Sequence, residues 1–179
     1  MGFGDTSLLS KTVFILLIVC FIIDLIGFAI PYWYAKEDAS LNLKYYGGLW
    51  ISCYESTGSI QVKICVSYDA SSLSDWFKAV RAFSVLSWLL FLAAVVFVLV
   101  FMFFLSDKRI LYLLGICLSF VGAFCALIAF AVYAAKANET SQYYNEYSGA
   151  FALTVISFIL GLISGVLGVI DYLGVIVRK

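Results

Sequence analysis

Residues 47–68 read GGLWISCYESTGSIQVKICVSY, and this stretch decides the fold. Apolar and polar side chains alternate from Ile60 to Ser67, which is the period of a β-strand with one apolar face. The segment from Gly48 to Tyr54 is rich in β-forming residues, and turn-forming residues 55–59 separate the two segments. The pattern therefore predicts a β-hairpin within a small antiparallel sheet.

A hairpin over this stretch places Cys53 and Cys65 on adjacent strands. A disulfide between them closes a loop of about 13 residues and stabilises the fold by about 3 kcal/mol in the chain-entropy model. A small sheet with little core needs such a covalent link. The alternative is a pair of free, buried thiols, which the oxidising environment expected for this loop disfavours.

The rest of the chain is too apolar for a soluble domain. Of its 179 residues, 64% are hydrophobic and 12% are charged, and the mean hydropathy is +1.06. Four apolar runs, at about 12–33, 79–105, 110–135 and 148–177, each reach the roughly 20 residues that cross a bilayer. We expect one domain, residues 1–179, built as a left-handed four-transmembrane helix bundle that carries a small disulfide-linked extracellular antiparallel sheet.

Composition also excludes several kinds of function. Net charge is zero and no basic tract is present, so nucleic acid is not expected as a partner. The chain has no histidine, which removes the commonest general base and metal ligand. Cys20, Cys117 and Cys125 lie in apolar runs and are interpreted as small apolar packing residues. The spacing of the cysteines does not indicate a zinc site. No enzyme activity, cofactor or metal is predicted.

The basic residues predict the orientation in the membrane. Five basic residues lie in very short segments on one side of the membrane: Lys11, Lys108, Arg109, Arg178 and Lys179. The positive-inside rule places both termini on the cytoplasmic side of a plasma-membrane protein. Loops at 34–78 and 136–147 then lie outside. The second loop contains Asn138 in a glycosylation sequon, Asn138-Glu139-Thr140.

Asp24 is an acidic residue inside the first apolar run, where a carboxylate costs about 2.5–3.5 kcal/mol on insertion scales. One interpretation is a proton or ion site. The other is a protonated or hydrogen-bonded carboxyl that holds helices together, with four candidate partners: Ser84, Ser87, Thr154 and Ser157. The structural interpretation is favoured, because no second intramembrane charge is placed to continue a relay.

Two further patterns concern the helices. Small residues recur four apart in the third and fourth runs: Gly115 with Ser119, Gly122 with Ala126, and Gly161 with Gly165. This spacing lets helix backbones approach closely, either within the bundle, which we favour, or between copies of the chain. In the long loop, residues 71–78 predict a short separate helix with serine at its start.

The loop residues resemble a known family. Trp33, the Gly48-Leu49-Trp50 triplet, Cys53 with Cys65, and Arg81 form a pattern similar to that of the claudin branch of the superfamily that also holds peripheral myelin protein and the epithelial membrane proteins. Tyr143-Tyr144-Asn145 in the second loop is also claudin-like. The resemblance covers the four-span layout and both loops.

This resemblance implies a protein of tight junctions and other cell–cell junctions, forming an adhesive paracellular barrier or an ion-selective paracellular channel. Its expected partners are copies of itself and related tetraspan proteins, in the same membrane and across cell contacts, within the lipid bilayer. Candidate pore-lining charges are Glu55, Lys63 and Asp69. Candidate contacts across the junction are Tyr143, Tyr144 and Asn145. The C-terminus lacks the claudin motif for PDZ scaffolds, so no such partner is expected.

Roles and alternatives follow from the same residues. We expect Trp50 to anchor the sheet on the bundle and Arg81 to tie the second span to loop backbone or carboxylates. The alternative function is an auxiliary or adhesion subunit of another membrane protein. An intramembrane enzyme or transporter is the weakest interpretation, because it rests on Asp24 alone.

Overall fold

Four long helices form the body of the molecule. The structure is a computed structural model that describes residues 7–56, 62–69, 71, 73–140 and 146–177. The helices are α1 (Leu8–Ala29), α2 (Asp75–Phe103), α3 (Arg109–Thr140) and α4 (Gly149–Val177). All four are long and apolar enough to cross a membrane.

Both ends of α1 follow from local sequence. Ser7 is the N-cap, and its Oγ accepts a hydrogen bond of 2.9 Å from the Ser10 amide. At the other end, Pro31 has no amide hydrogen and disfavours helical backbone at the residue before it. The helix therefore stops at Ala29, five residues after Asp24.

The start of α2 corrects one prediction. The described residues among 71–78 form no separate helix: α2 begins at Asp75, after the N-cap Ser74, and runs without interruption to Phe103. Neither glycine nor proline follows Asp75 within this helix, so nothing ends its first turn. Trp76 and Phe77 are thus part of the second span.

Small residues pack the helices of this one chain against each other. A side chain added at Gly115 would meet Val98 of α2, and one added at Gly165 would meet Phe120 of α3. Gly161 lies against Phe91 in the same way. The structure thus uses these glycines for packing within the bundle.

The sheet has four strands, the last two of which form the predicted hairpin. They are β1 (Tyr34–Asp38), β2 (Leu43–Gly47), β3 (Ile51–Ser56) and β4 (Lys63–Ser67). All neighbours are antiparallel, in the order β1-β2-β3-β4. The outer edge of β1 is covered in part, since Ala35 donates a backbone hydrogen bond to the Glu146 carbonyl.

The hairpin of β3 and β4 contains the predicted disulfide. Cys53 is directly opposite Cys65 in the register, and the two are joined. Ile64 and Val66 share one face of β4, as the alternation predicted. That face is open, however, because both side chains are nearly half exposed, at 47% and 49%. The disulfide is therefore the main side-chain connection between β4 and the sheet.

Candidate functional site at the base and tip of the sheet

The sheet is attached to the bundle through the last carbonyls of α1. Gly27 O would normally accept from the amide of residue 31, but that residue is Pro31 and has no amide hydrogen. The Trp33 indole nitrogen donates to Gly27 O instead, at 2.8 Å. The Trp50 indole donates in the same way to the next carbonyl, Phe28 O, at 2.9 Å. Both tryptophans of the family-like pattern thus act as caps of one helix.

The two tryptophans differ in burial. Trp33 has no exposed surface, and its ring lies 4.8 Å from that of Tyr133 between centroids. Trp50 keeps 37% of its surface exposed. The fully buried residue of the triplet is Leu49, which packs with Val80 in the same cluster as Trp33. Leu49 is part of the sequence pattern, but nothing in the sequence alone indicated that it is buried.

Gly48 lies where two backbone segments touch. A Cβ atom at this position would be 2.6 Å from the Ile30 carbonyl oxygen and 2.7 Å from the Pro31 Cα atom. Backbone atoms cannot rotate away as the end of a side chain can. The close approach of the triplet to the end of α1 therefore requires glycine.

We expect Gly48→Ala to destabilise the protein by about 1–3 kcal/mol, the usual cost of overpacking. The matched control is Gly149→Ala at the start of α4, where an added Cβ would meet nothing within 4 Å. Thermal unfolding of the purified variants measures the difference. Equal melting temperatures for Gly48→Ala and the parent protein would contradict this account.

Arg81 connects the second span to the same triplet. Its Nε donates to the Leu49 carbonyl oxygen at 2.5 Å. The guanidinium carbon also lies 5.0 Å from the Trp50 ring centroid, 5.2 Å from that of Phe77 and 5.5 Å from that of Tyr68. Contacts of this kind contribute about 0.5–2 kcal/mol each, depending on desolvation. Arg81 thus fixes loop backbone and aromatic rings together.

Four charged residues form a row across one face of the sheet, here called the charged row. Glu37 is opposite Lys44, Lys44 is opposite Glu55, and Glu55 is opposite Lys63. Residues in direct register share a face, so the charges alternate −, +, −, + across all four strands. The Tyr46 hydroxyl, more than the Glu55 charge, raises the pKa of Lys63.

The charged row lies at the tip of the sheet. Tyr34 and Gly47 form the register pair next to the bundle, and Glu37 and Lys44 lie three residues farther along their strands. Asp69 is not part of the row, because it follows β4. Its carboxylate accepts hydrogen bonds from the Ser71 amide and hydroxyl, which lower its pKa. Of the three predicted pore-lining charges, the structure therefore brings Glu55 and Lys63 together and leaves Asp69 apart.

Of the second loop predicted at 136–147, residues 136–140 continue α3, and residues 146–147 are described after it. Tyr143, Tyr144 and Asn145 lie outside the described residues. The backbone of Asn138 belongs to α3. Farther along, Lys36 and Glu146 form an ion pair of 3.8 Å, and the Tyr147 ring stacks on Phe151 with 4.4 Å between centroids.

Comparison with known proteins agrees with this architecture. A search of curated proteins returned no match. A family model described as the PMP-22/EMP/MP20/Claudin family matches residues 7–168, which is most of the chain. Together with four membrane-length helices and a disulfide-linked four-stranded sheet, this match leads to one conclusion: the chain belongs to the PMP-22/EMP/MP20/Claudin family.

Proposed function

We propose that this chain is a plasma-membrane protein of cell–cell junctions, whose sheet takes part in an adhesive paracellular barrier or an ion-selective paracellular channel. Family membership supports a tetraspan protein of the junction type. In the proposed topology both termini are cytoplasmic, so the sheet faces the space between cells. Copies of this chain and related tetraspan proteins are the proposed partners, with Tyr143, Tyr144 and Asn145 as contacts across the junction. The proposal includes no catalytic activity.

The charged row is the observation that carries this proposal. It places two acids and two bases near the end of the sheet that is farthest from the bundle, where ions or another cell surface would meet it. The charges are equal in number, so the row has no net charge. The balance between them sets the local potential, and removing one charge leaves an excess of the opposite sign.

We expect Glu55→Gln to favour anions and Lys63→Gln to favour cations when the chain is expressed in an epithelial layer. A unit charge at about 4 Å in water contributes about 1 kcal/mol, so the relative permeability should change by about fivefold at most and less at high salt. Dilution potentials across the layer measure this ratio. The double variant Glu55→Gln/Lys63→Gln should return it towards the parent value.

Lys78→Gln provides the control, because Lys78 pairs with Asp75 in the first turn of α2, outside the charged row. It should leave selectivity unchanged. If every variant reaches the surface normally and none changes selectivity, the channel proposal fails. The barrier and auxiliary-subunit proposals would then remain, and total resistance of the layer would distinguish between them.

An auxiliary or adhesion subunit is the second candidate function, and the open face of β4 favours it. Ile64 and Val66 are nearly half exposed beside Tyr54, so this face offers an apolar surface to a partner protein. Freeze-fracture imaging of cells that express this chain alone separates the two candidates. Continuous strands at contacts support a junction protein, whereas dispersed particles support a subunit of another complex.

A further inference from the structure

Asp24 joins three helices. It lies on α1 with 2% of its surface exposed, and its Oδ1 is 2.7 Å from the Ser157 hydroxyl of α4. Ser87 of α2 has no exposed surface and is close enough to interact with the same carboxyl group. Neither Asp24 Oδ2 nor Ser87 Oγ has a hydrogen-bond partner of good geometry among the residues that the structure describes.

The number of hydrogen-bond donors at this site favours a protonated, neutral Asp24. Ser157 Oγ lies 2.7 Å from Asp24 Oδ1 and 2.8 Å from the Thr154 carbonyl oxygen. A hydroxyl has one hydrogen, so it cannot satisfy both acceptors fully. A proton on Asp24 Oδ1 removes this conflict, because Asp24 then donates to Ser157 Oγ and the Ser157 hydroxyl donates to the Thr154 carbonyl. Asp24 Oδ2 stays an acceptor, for which the Ser87 hydroxyl is the available donor. Within the described part of the chain, no ion pair compensates a charge on Asp24.

The position of Asp24 connects this site to the sheet. One helical turn later come Gly27 and Phe28, whose carbonyls accept the two tryptophan indoles. Gly27 itself faces α4, since a Cβ there would be 3.0 Å from Thr154 Oγ1. A rotation or shift of α1 against α4 would therefore move both indoles and the strands that follow them.

We propose that Asp24 is a neutral carboxylic acid that forms a polar lock with Ser157 and Ser87, and that this lock sets the position of the sheet on the bundle. Asp24 is thus a positioning residue. The inference rests on contacts within one chain and is independent of the proposed junction function.

Substitution of Asp24 by asparagine or leucine distinguishes a hydrogen-bonding role of this residue from a role in packing alone. Asparagine has a similar shape, no charge, one acceptor and one donor group, so Asp24→Asn should keep the unfolding equilibrium of the parent. Asp24→Leu removes the hydrogen bond to Ser157 and the polar group that faces Ser87. In a double-mutant cycle with Ser157→Ala, Asp24→Leu should show a coupling of roughly threefold in that equilibrium, the average for hydrogen bonds between membrane helices.

Ser84→Ala is the matched control, because Ser84 is also buried on α2 but donates to the Val80 carbonyl of its own helix. It should show no coupling to position 24. Protonation is measured by infrared spectroscopy in lipid: the parent should show the carbonyl stretch of a protonated carboxylic acid at neutral pH, and Asp24→Asn should lose that band.

Fluorotryptophan NMR measures the position of the sheet. The Trp33 and Trp50 signals, assigned by Trp→Phe variants, should shift in Asp24→Leu and Ser157→Ala but not in Ser84→Ala. If Asp24→Leu does not fold, Ser157→Ala alone provides this comparison. The proposal is overturned if Asp24 shows only carboxylate bands, if the cycle is additive, or if the indole signals do not respond.

Discussion

Trp33→Ala is expected to cause a larger loss of folded protein than Cys53→Ser, Trp50→Ala or Gly48→Ala. Removing a fully buried aromatic side chain costs about 3–5 kcal/mol, and a domain has only about 5–15 kcal/mol in total. Trp33 is completely buried, and the lost indole also leaves the Gly27 carbonyl without a donor, which costs about 1–3 kcal/mol more. Thermal unfolding in detergent, or the yield of monodisperse protein, measures the effect.

Two further variants show which interactions of the tryptophans contribute to the stability of the protein. Trp33→Phe keeps an aromatic ring beside Tyr133 but loses the N–H group, so it should fall between Trp33→Ala and the parent. Trp50→Ala should cost less than Trp33→Ala, because 37% of Trp50 is already exposed. The pattern alone predicted Trp50 as the anchor, and burial moves the larger effect to Trp33. Equal stability of Trp33→Ala and the parent would disprove the capping account.

Cys53→Ser is expected to have the second-largest effect, because the disulfide is the main connection of β4 to the sheet besides its backbone pairing with β3. All five residues of that strand are exposed, and removal of a native disulfide typically costs about 2–5 kcal/mol. The variant should unfold at a lower temperature and reach the cell surface poorly. Non-reducing mass spectrometry of the parent should find the peptides of Cys53 and Cys65 linked.

Cys125→Ser is the control for this experiment, since Cys125 is a free, buried cysteine of α3. It should leave both delivery and peptide linkage unchanged. Free thiols at positions 53 and 65 in correctly delivered parent protein would rule out a structural role for the disulfide.

Patterns that depend on neighbouring residues could be predicted from the sequence. The four helices follow from length and hydropathy, and the β3–β4 hairpin follows from β-forming residues around Cys53 and alternation around Cys65. The strand β1 could not be predicted, because Lys36, Glu37 and Asp38 show no alternation. Its extended backbone is stabilised by pairing with β2 and with the segment at Glu146.

Tertiary placement explains the remaining differences. Trp33 and Trp50 are the same residue type, and only the packed structure shows which one is buried. One local signal was available: Pro31 follows Gly27 by four residues, so a carbonyl of α1 must lack its usual amide donor. That gap predicts that a side chain from elsewhere caps the helix.

The two indole caps also make the completion of α1 depend on the formation of the sheet. The Gly27 and Phe28 carbonyls belong to α1, whereas Trp50 follows β1 and β2 in the chain and is synthesised after them. Until then α1 ends with carbonyls that lack their final partners, and the close fit at Gly48 is not yet formed. Sheet and bundle should therefore unfold in a single cooperative transition, and a chain whose sheet misfolds should present an unfinished helix end to the quality-control machinery of the cell.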